Sequence, residues 1–145
     1  WLPQERKRLI LIGSKKPFTN FEYPNEKPLR LKDIIERDAE IDIPKYVYNR
    51  INGKYRDKPI ISDPDLDDLS PTCVAHYAKD KGTRLVKDGK RIRPYTVREY
   101  ARLQGFPDWF QFCGTSNDAY RQIGNAVAVP MGRWIGKQIV KYFNS

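Results

Sequence analysis

Two thiols, two closely spaced guanidiniums and one dense run of cations are the groups in this 145-residue chain best equipped for chemistry. Cys73 and Cys113 stand in no metal-ligand spacing and are read as reduced thiols. Arg6 and Arg8 are two residues apart, just before the apolar run Leu9-Ile-Leu-Ile12. In extended chain they point to the same side, a fork of guanidiniums entering a buried strand. Guanidinium groups stay charged and offer rigid donors to a base carbonyl or a carboxylate, although flanking charge is the duller reading. Between residues 79 and 102 nine basic residues stand against three acidic ones, so this stretch holds +6 of the chain's net charge of +9. It is where the phosphates of double-stranded DNA should lie. Tyr77, Lys79, Arg84, Lys87 and Arg91 are the candidate contacts there; core tyrosines and a solvated basic face are the alternatives. Asp63, Asp65 and Asp67 fall at the first, third and fifth positions of a calcium loop, but Asp68 and Val74 occupy the sixth and twelfth, so no metal is expected. Gly124-Asn125 precedes a closing helix, whose free N–H groups suit an anionic ligand group such as a carboxylate; an ordinary turn reads the same.

The elements that must position these groups carry their own signals. Thr96 to Pro107 predicts a short helix: Thr96 and Glu99 have capping-box spacing, Gly105 ends the helix, and Pro107 cannot continue it. Val97, Tyr100, Ala101 and Gln104 share one face, with solvated Arg98 and Arg102 on another. Leu9–Ile12 suits a strand buried on both faces of a parallel sheet, though four residues do not exclude a helix. A weak helical pattern starts at Leu29 and ends before Pro44; an acidic, proline-punctuated loop containing Tyr55 and Asp57 follows the Asn52-Gly53 turn signal. Gly82 and Gly89, with Leu85-Val86 between them, predict a hairpin with a mobile basic tip. Trp109-Phe-Gln-Phe112 is too aromatic for exposure, and Gly114-Thr-Ser-Asn can cap the next helix. Met131, Ile135, Ile139, Val140, Tyr142 and Phe143 form the apolar side of a closing amphipathic helix, with Arg133, Lys137, Gln138 and Lys141 opposite.

Three stretches carry a resemblance. Arg93-Pro-Tyr-Thr-Val-Arg-Glu-Tyr-Ala-Arg-Leu-Gln-Gly-Phe-Pro-Asp108 resembles the ninth motif of DNA (cytosine-5) methyltransferases. Tyr120-Arg-Gln-Ile-Gly-Asn-Ala-Val-Ala-Val-Pro130 is similar to the tenth, and Pro3-Gln-Glu-Arg-Lys-Arg8 to the eighth, in the family's order. The resemblance implies that Arg8 contacts the flipped cytosine with Arg6 supporting the pocket, that Thr96 touches the DNA backbone, and that Asn125 and Ala126 border the S-adenosyl-L-methionine pocket. It also implies an α/β fold: the last strand and helix of a Rossmann-like methyltransferase domain, flanking a small mixed target-recognition region. The parts would be 1–28, 29–92 and 93–145.

The family's nucleophile sits in Pro-Cys-Gln and attacks carbon 6 of a base that has left the duplex. Here Cys73 follows Thr72, Cys113 follows Phe112, neither precedes glutamine, and no Gly-x-Gly or Glu-Asn occurs. The expected function is therefore the recognition and pocket-completing part of a cytosine-5 methyltransferase. The catalytic half would be a separate chain or an upstream segment of a polypeptide cut or truncated before Trp1. A stand-alone DNA-binding module and a degenerate inactive fragment are the rivals. No apolar run reaches the length of a membrane span, and the expected location is cytoplasmic, on DNA.

Overall fold

A computed structural model of the chain describes residues 1–17, 22–23, 25, 27–53 and 60–144; Tyr55 and Asp57 lie outside the described residues. Helix α2 (Val97–Leu103) forms where its caps predict. Thr96 Oγ1 accepts from the Glu99 N–H at 3.1 Å and the Glu99 carboxylate accepts from the Thr96 N–H at 2.7 Å. Glycine at position 105 is required twice over: its φ is +79°, and an added Cβ would stand 2.6 Å from Pro130 Cδ. Tyr100, Ala101 and Gln104 are buried as expected, but Glu99 and Leu103 are buried too. The arginines are not merely solvated. Arg98 donates to the Phe110 carbonyl, and Arg102 grips Asp108 with two bonds of 2.8 Å, so both fold the following loop back onto the helix.

The strands are short: β1 (Gln4–Glu5), β2 (Ile61–Ser62), β3 (Ser70–Pro71), β4 (Leu85–Asp88) and β5 (Arg91–Pro94). β1 pairs in parallel with β3, while β2, β4 and β5 form a second sheet with β2 parallel and β5 antiparallel to β4. The expected hairpin is the β4–β5 pair, joined by Gly89-Lys90 with Gly89 at φ +60°. The pattern from Leu29 shrinks to one 3-10 turn, Leu31–Asp33, which delivers Leu31 and Ile34 to the core. Pro44 opens a helix, α1 (Lys45–Asn52), because its fixed φ suits the first turn and it needs no N–H there. Helix α3 (Ser116–Asn125) starts from a second capping box, Thr115 with Asp118, at the Gly114 turn.

Three expectations fail. Leu9–Ile12 pairs with no strand among the described residues, and Leu9 and Leu11 are 85% and 86% exposed. A strand buried on both faces needs neighbours that this fold does not offer it. Helix α4 (Val129–Phe143) forms, yet Val140 and Phe143 lie open, and Gln138 from the supposed polar side is buried instead. The segment at Glu22 covers that flank: its carbonyl accepts from Trp134 Nε1 at 2.6 Å, and its N–H reaches Gln138 Oε1. Trp109 is 78% exposed, because Phe106, Phe110 and Phe112 fill their own cluster with centroids about 5 Å apart and leave the indole outside.

The core is built on tyrosines. Tyr77 stacks on Tyr100 at 4.5 Å, and Tyr120 meets both edge-on at 5.2 and 5.5 Å. Such pairs add roughly 0.5–1.5 kcal/mol each beyond burial. Every one of these three hydroxyls is partnered by backbone: Tyr77 donates to Arg84 O and accepts from Tyr95 N, Tyr100 bonds both polar groups of Val74, and Tyr120 donates to Tyr95 O. Burial raises the pKa of all three, so they are neutral links between α2, α3 and the segment Val74–Arg84.

Candidate nucleic-acid interface

Two buried amides join the three motif-bearing stretches. Gln4 on β1 donates to Leu103 O and to Gln104 Oε1 at 2.8 Å, and its own oxygen accepts from Cys73 N at 3.2 Å. Gln104 in turn donates to Ile123 O at 2.8 Å and Ala126 O at 3.2 Å. Both side chains are nearly or wholly sealed from water, where an unpaired amide would cost about 1–3 kcal/mol, so the pair fixes its partners' spacing. Arg6 uses the same carbonyl: its guanidinium donates to Ala126 O and Cys73 O, each at 2.9 Å.

The two arginines of the expected fork are held differently, Arg6 by distant carbonyls and Arg8 in the open. Two backbone carbonyls from distant parts of the chain turn Arg6 inward, and β1 ends at Glu5, so alternation no longer governs the next residues. Burial, and then the charge of Arg8, draw the Arg6 pKa below its ordinary value. Arg8 is exposed and among the described residues bonds only its neighbour's carbonyl, leaving most of its donors open. Gly124-Asn125 precedes the closing helix as expected, but it does so as the last turn of α3, and α4 begins only at Val129. Gly124 packs directly on backbone, its missing Cβ lying 2.2 Å from Val74 C. Asn125 is exposed, its side-chain amide without a partner among the described residues; Ala126 is half-buried, its carbonyl already claimed by Arg6 and Gln104.

Thr96 is half-buried at the start of α2, and its hydroxyl donates to Glu36 Oε2 at 2.7 Å. Beneath it lies a buried ion cluster. Arg93 is fully buried, bonds Asp88 at 2.8 Å and holds Glu99 with two bonds of 2.8 Å, and donates to Glu36 O. Burial opposes charge in this cluster, but the carboxylate bonds prevail and raise the arginine's pKa; Asp88 is correspondingly held below the usual range by Arg93 and the Asp38 N–H.

The basic stretch is thus less available than its charge suggests. Arg93 faces inward. Tyr77 is 0% exposed, so the core-tyrosine alternative holds and it is removed from the candidate DNA contacts. Arg84 donates to Thr72 O, Lys87 pairs with Asp63 at 2.6 Å, and Arg91 reaches Ala39 O. The Lys87 contact raises the lysine's pKa and lowers that of Asp63, the residue read above as a calcium-loop position and here the cap of a 3-10 turn. Lys79 and Lys90 remain exposed, without such partners among the described residues, and Lys87 and Arg91 still present half their side-chain surface. Arg84 lies beside Thr72, whose hydroxyl bonds Glu5 O, so the basic stretch adjoins the strand that leads to Arg6 and Arg8.

The buried thiol is not set up for nucleophilic attack. Cys73 is 1% exposed and burial pushes its pKa up to about 12, which leaves it protonated at neutral pH. Cys113 is exposed and follows Phe112 rather than a proline. Sequence reasoning missed Gln4, Glu36 and Gln104; only Gln104 carried a local signal, its place on the buried helical face.

Known proteins agree with this assembly. The family described as C-5 cytosine-specific DNA methylase matches residues 2–141. Type II methyltransferase M.AplI of Arthrospira platensis is 51% identical over 155 aligned residues, covering 95% of this chain and 44% of that protein. DNA (cytosine-5)-methyltransferase CMT2 of Arabidopsis thaliana is 66% identical over 94 residues, 65% of this chain and 7% of that protein. Among solved structures, S. pombe Dnmt2 methyltransferase superposes with a TM-score of 0.59 at 23% identity, over 81% of this chain and 42% of that one. Entamoeba histolytica methyltransferase EhMeth gives 0.60 at 21%, over 88% and 44%. The fold is thereby the expected α/β type, and the chain spans less than half the length of each of these relatives. With its eighth, ninth and tenth motif stretches joined through Gln4, Gln104 and Arg6, the chain belongs to the C-5 cytosine-specific DNA methylase family.

Proposed function

We propose that this chain is the DNA-recognition and pocket-completing part of a cytosine-5 DNA methyltransferase, active only with a catalytic complement. That complement is either a second polypeptide or an upstream segment of the same one. The observation that carries the reading is a family match over residues 2–141 in a chain with no Pro-Cys-Gln, whose buried thiol is held protonated. The exposed Leu9, Leu11, Val140 and Phe143 support it as well, since they offer apolar surface for the complement to cover.

In this reading residues 1–28 and 93–145 complete the catalytic domain and residues 29–92 recognise DNA. Arg8 supplies open guanidinium donors to the flipped cytosine, and Arg6 positions it from the Ala126 and Cys73 carbonyls. Asn125, with its free amide, and the adjacent Ala126 border the S-adenosyl-L-methionine site; when bound, that cofactor supplies the methyl group. Thr96, Lys79, Arg84, Lys87 and Arg91 bind the duplex. Activity is tested by transfer of radiolabelled methyl to DNA, using this chain, the complement, and both together. Transfer is expected only from the mixture, and transfer by this chain alone would refute the reading. DNA binding without transfer in the mixture would favour the stand-alone binding module.

A further inference from the structure

Helix α1 is an element that the core hardly needs. Val47 is its one buried residue, yet the helix is held firmly: the Tyr46 hydroxyl accepts from the Lys81 N–H at 3.1 Å, and Arg50 pairs with Asp80 at 2.9 Å. Gly82 lets the Arg50 side chain approach, its missing Cβ lying 3.3 Å from Arg50 Cδ. The outer face comprises Lys45, Tyr48, Asn49 and Asn52, spaced three and four residues apart and all exposed. Among the described residues none of these four side chains has a hydrogen-bond or ion-pair partner, and the first turn holds no acidic residue. A rigid helix that presents two free amides, a phenol and a lysine, with no carboxylate to repel phosphate, suits the major groove. There an asparagine can bond adenine N6 and N7 together.

Its place in the fold agrees. α1 docks on Lys81–Thr83, the next residue is Arg84, Arg84 bonds Thr72, and Thr72 bonds Glu5 on the strand that leads to Arg6 and Arg8. We propose that α1, rather than the β4–β5 hairpin tip, reads base edges: Asn49 and Asn52 specify an A·T pair near the target cytosine, while Lys45 holds phosphate. This deepens the DNA reading above and rests on it.

The test uses the enzyme assembled from this chain and its complement, with a library of duplexes randomised on both sides of one cytosine, bound at two salt concentrations. Asn49→Ala and Asn52→Ala should each lower discrimination at a single base pair by roughly tenfold and leave other positions unchanged. Lys45→Ala should weaken all sequences alike and reduce the salt slope by about one. Loss of preference that follows Lys87→Ala and Arg91→Ala, with the asparagine variants unchanged, overturns the inference and leaves the proposed function standing. An assembled wild type that binds no duplex defeats both.

Discussion

Replacing Arg93 by methionine tests the buried ion cluster most directly. The wild-type guanidinium is fully buried, bonds Asp88 once and Glu99 twice, and also serves the Pro94 and Glu36 carbonyls. Methionine fills comparable volume but strands two carboxylates that are 2% and 0% exposed. Asp88 keeps Arg91 at 3.8 Å and Glu99 keeps the Thr96 and Glu36 N–H groups, but breaking a buried pair still costs about 3–5 kcal/mol, a large share of the roughly 5–15 kcal/mol that holds a domain together. At a urea slope of about 2 kcal/mol per molar, the unfolding midpoint should fall by roughly 2 M. The pH dependence should also reverse. In the wild type Asp88 has a lowered pKa, so its contribution is present above about pH 4 and is lost as pH falls through the folded value. In the variant the stranded carboxyls are expected to have raised pKa values, so their neutral forms stabilise the fold at low pH and that gain is lost as pH rises through the new folded value. Urea titrations at pH 5 and pH 7, followed by circular dichroism, check both points. A loss below about 1 kcal/mol, or a variant with the same pH slope as the wild type, would refute the account.

Gly124→Ala should separate α3 from the Val74–Ala75 backbone, since the new Cβ would stand 2.2–2.5 Å from three backbone atoms that no rotamer can move. A loss of at least about 1–3 kcal/mol in thermal unfolding is expected, and an unchanged midpoint would show that the close approach is dispensable. Thiol labelling at neutral pH should modify Cys113 at once and Cys73 only on unfolding, because burial holds the Cys73 thiol protonated with a pKa near 12. Two fast thiols in mass spectra of the folded chain would contradict that burial.

What the sequence determined by itself is local. The Thr96 and Thr115 capping boxes, the left-handed Gly105 and the hairpin turn at Gly89 depend on residues within a few positions of one another, so spacing reveals them. Motif wording likewise carried the family, because runs of neighbouring residues are compared directly. Only the tertiary structure decided which side chains are free to act. Arg6 and Arg8 look alike in sequence, but carbonyls of Cys73 and Ala126, far along the chain, claim the first and leave the second open. Tyr77 and Arg93 read as part of a basic, DNA-facing stretch until two further tyrosine rings and two carboxylates, brought together from separate elements, enclose them. Leu9–Ile12 has the composition of a buried strand, yet burial needs neighbouring strands and composition cannot supply them. A hydrogen bond or a packing contact belongs to two residues at once, and which two meet is settled when the chain folds.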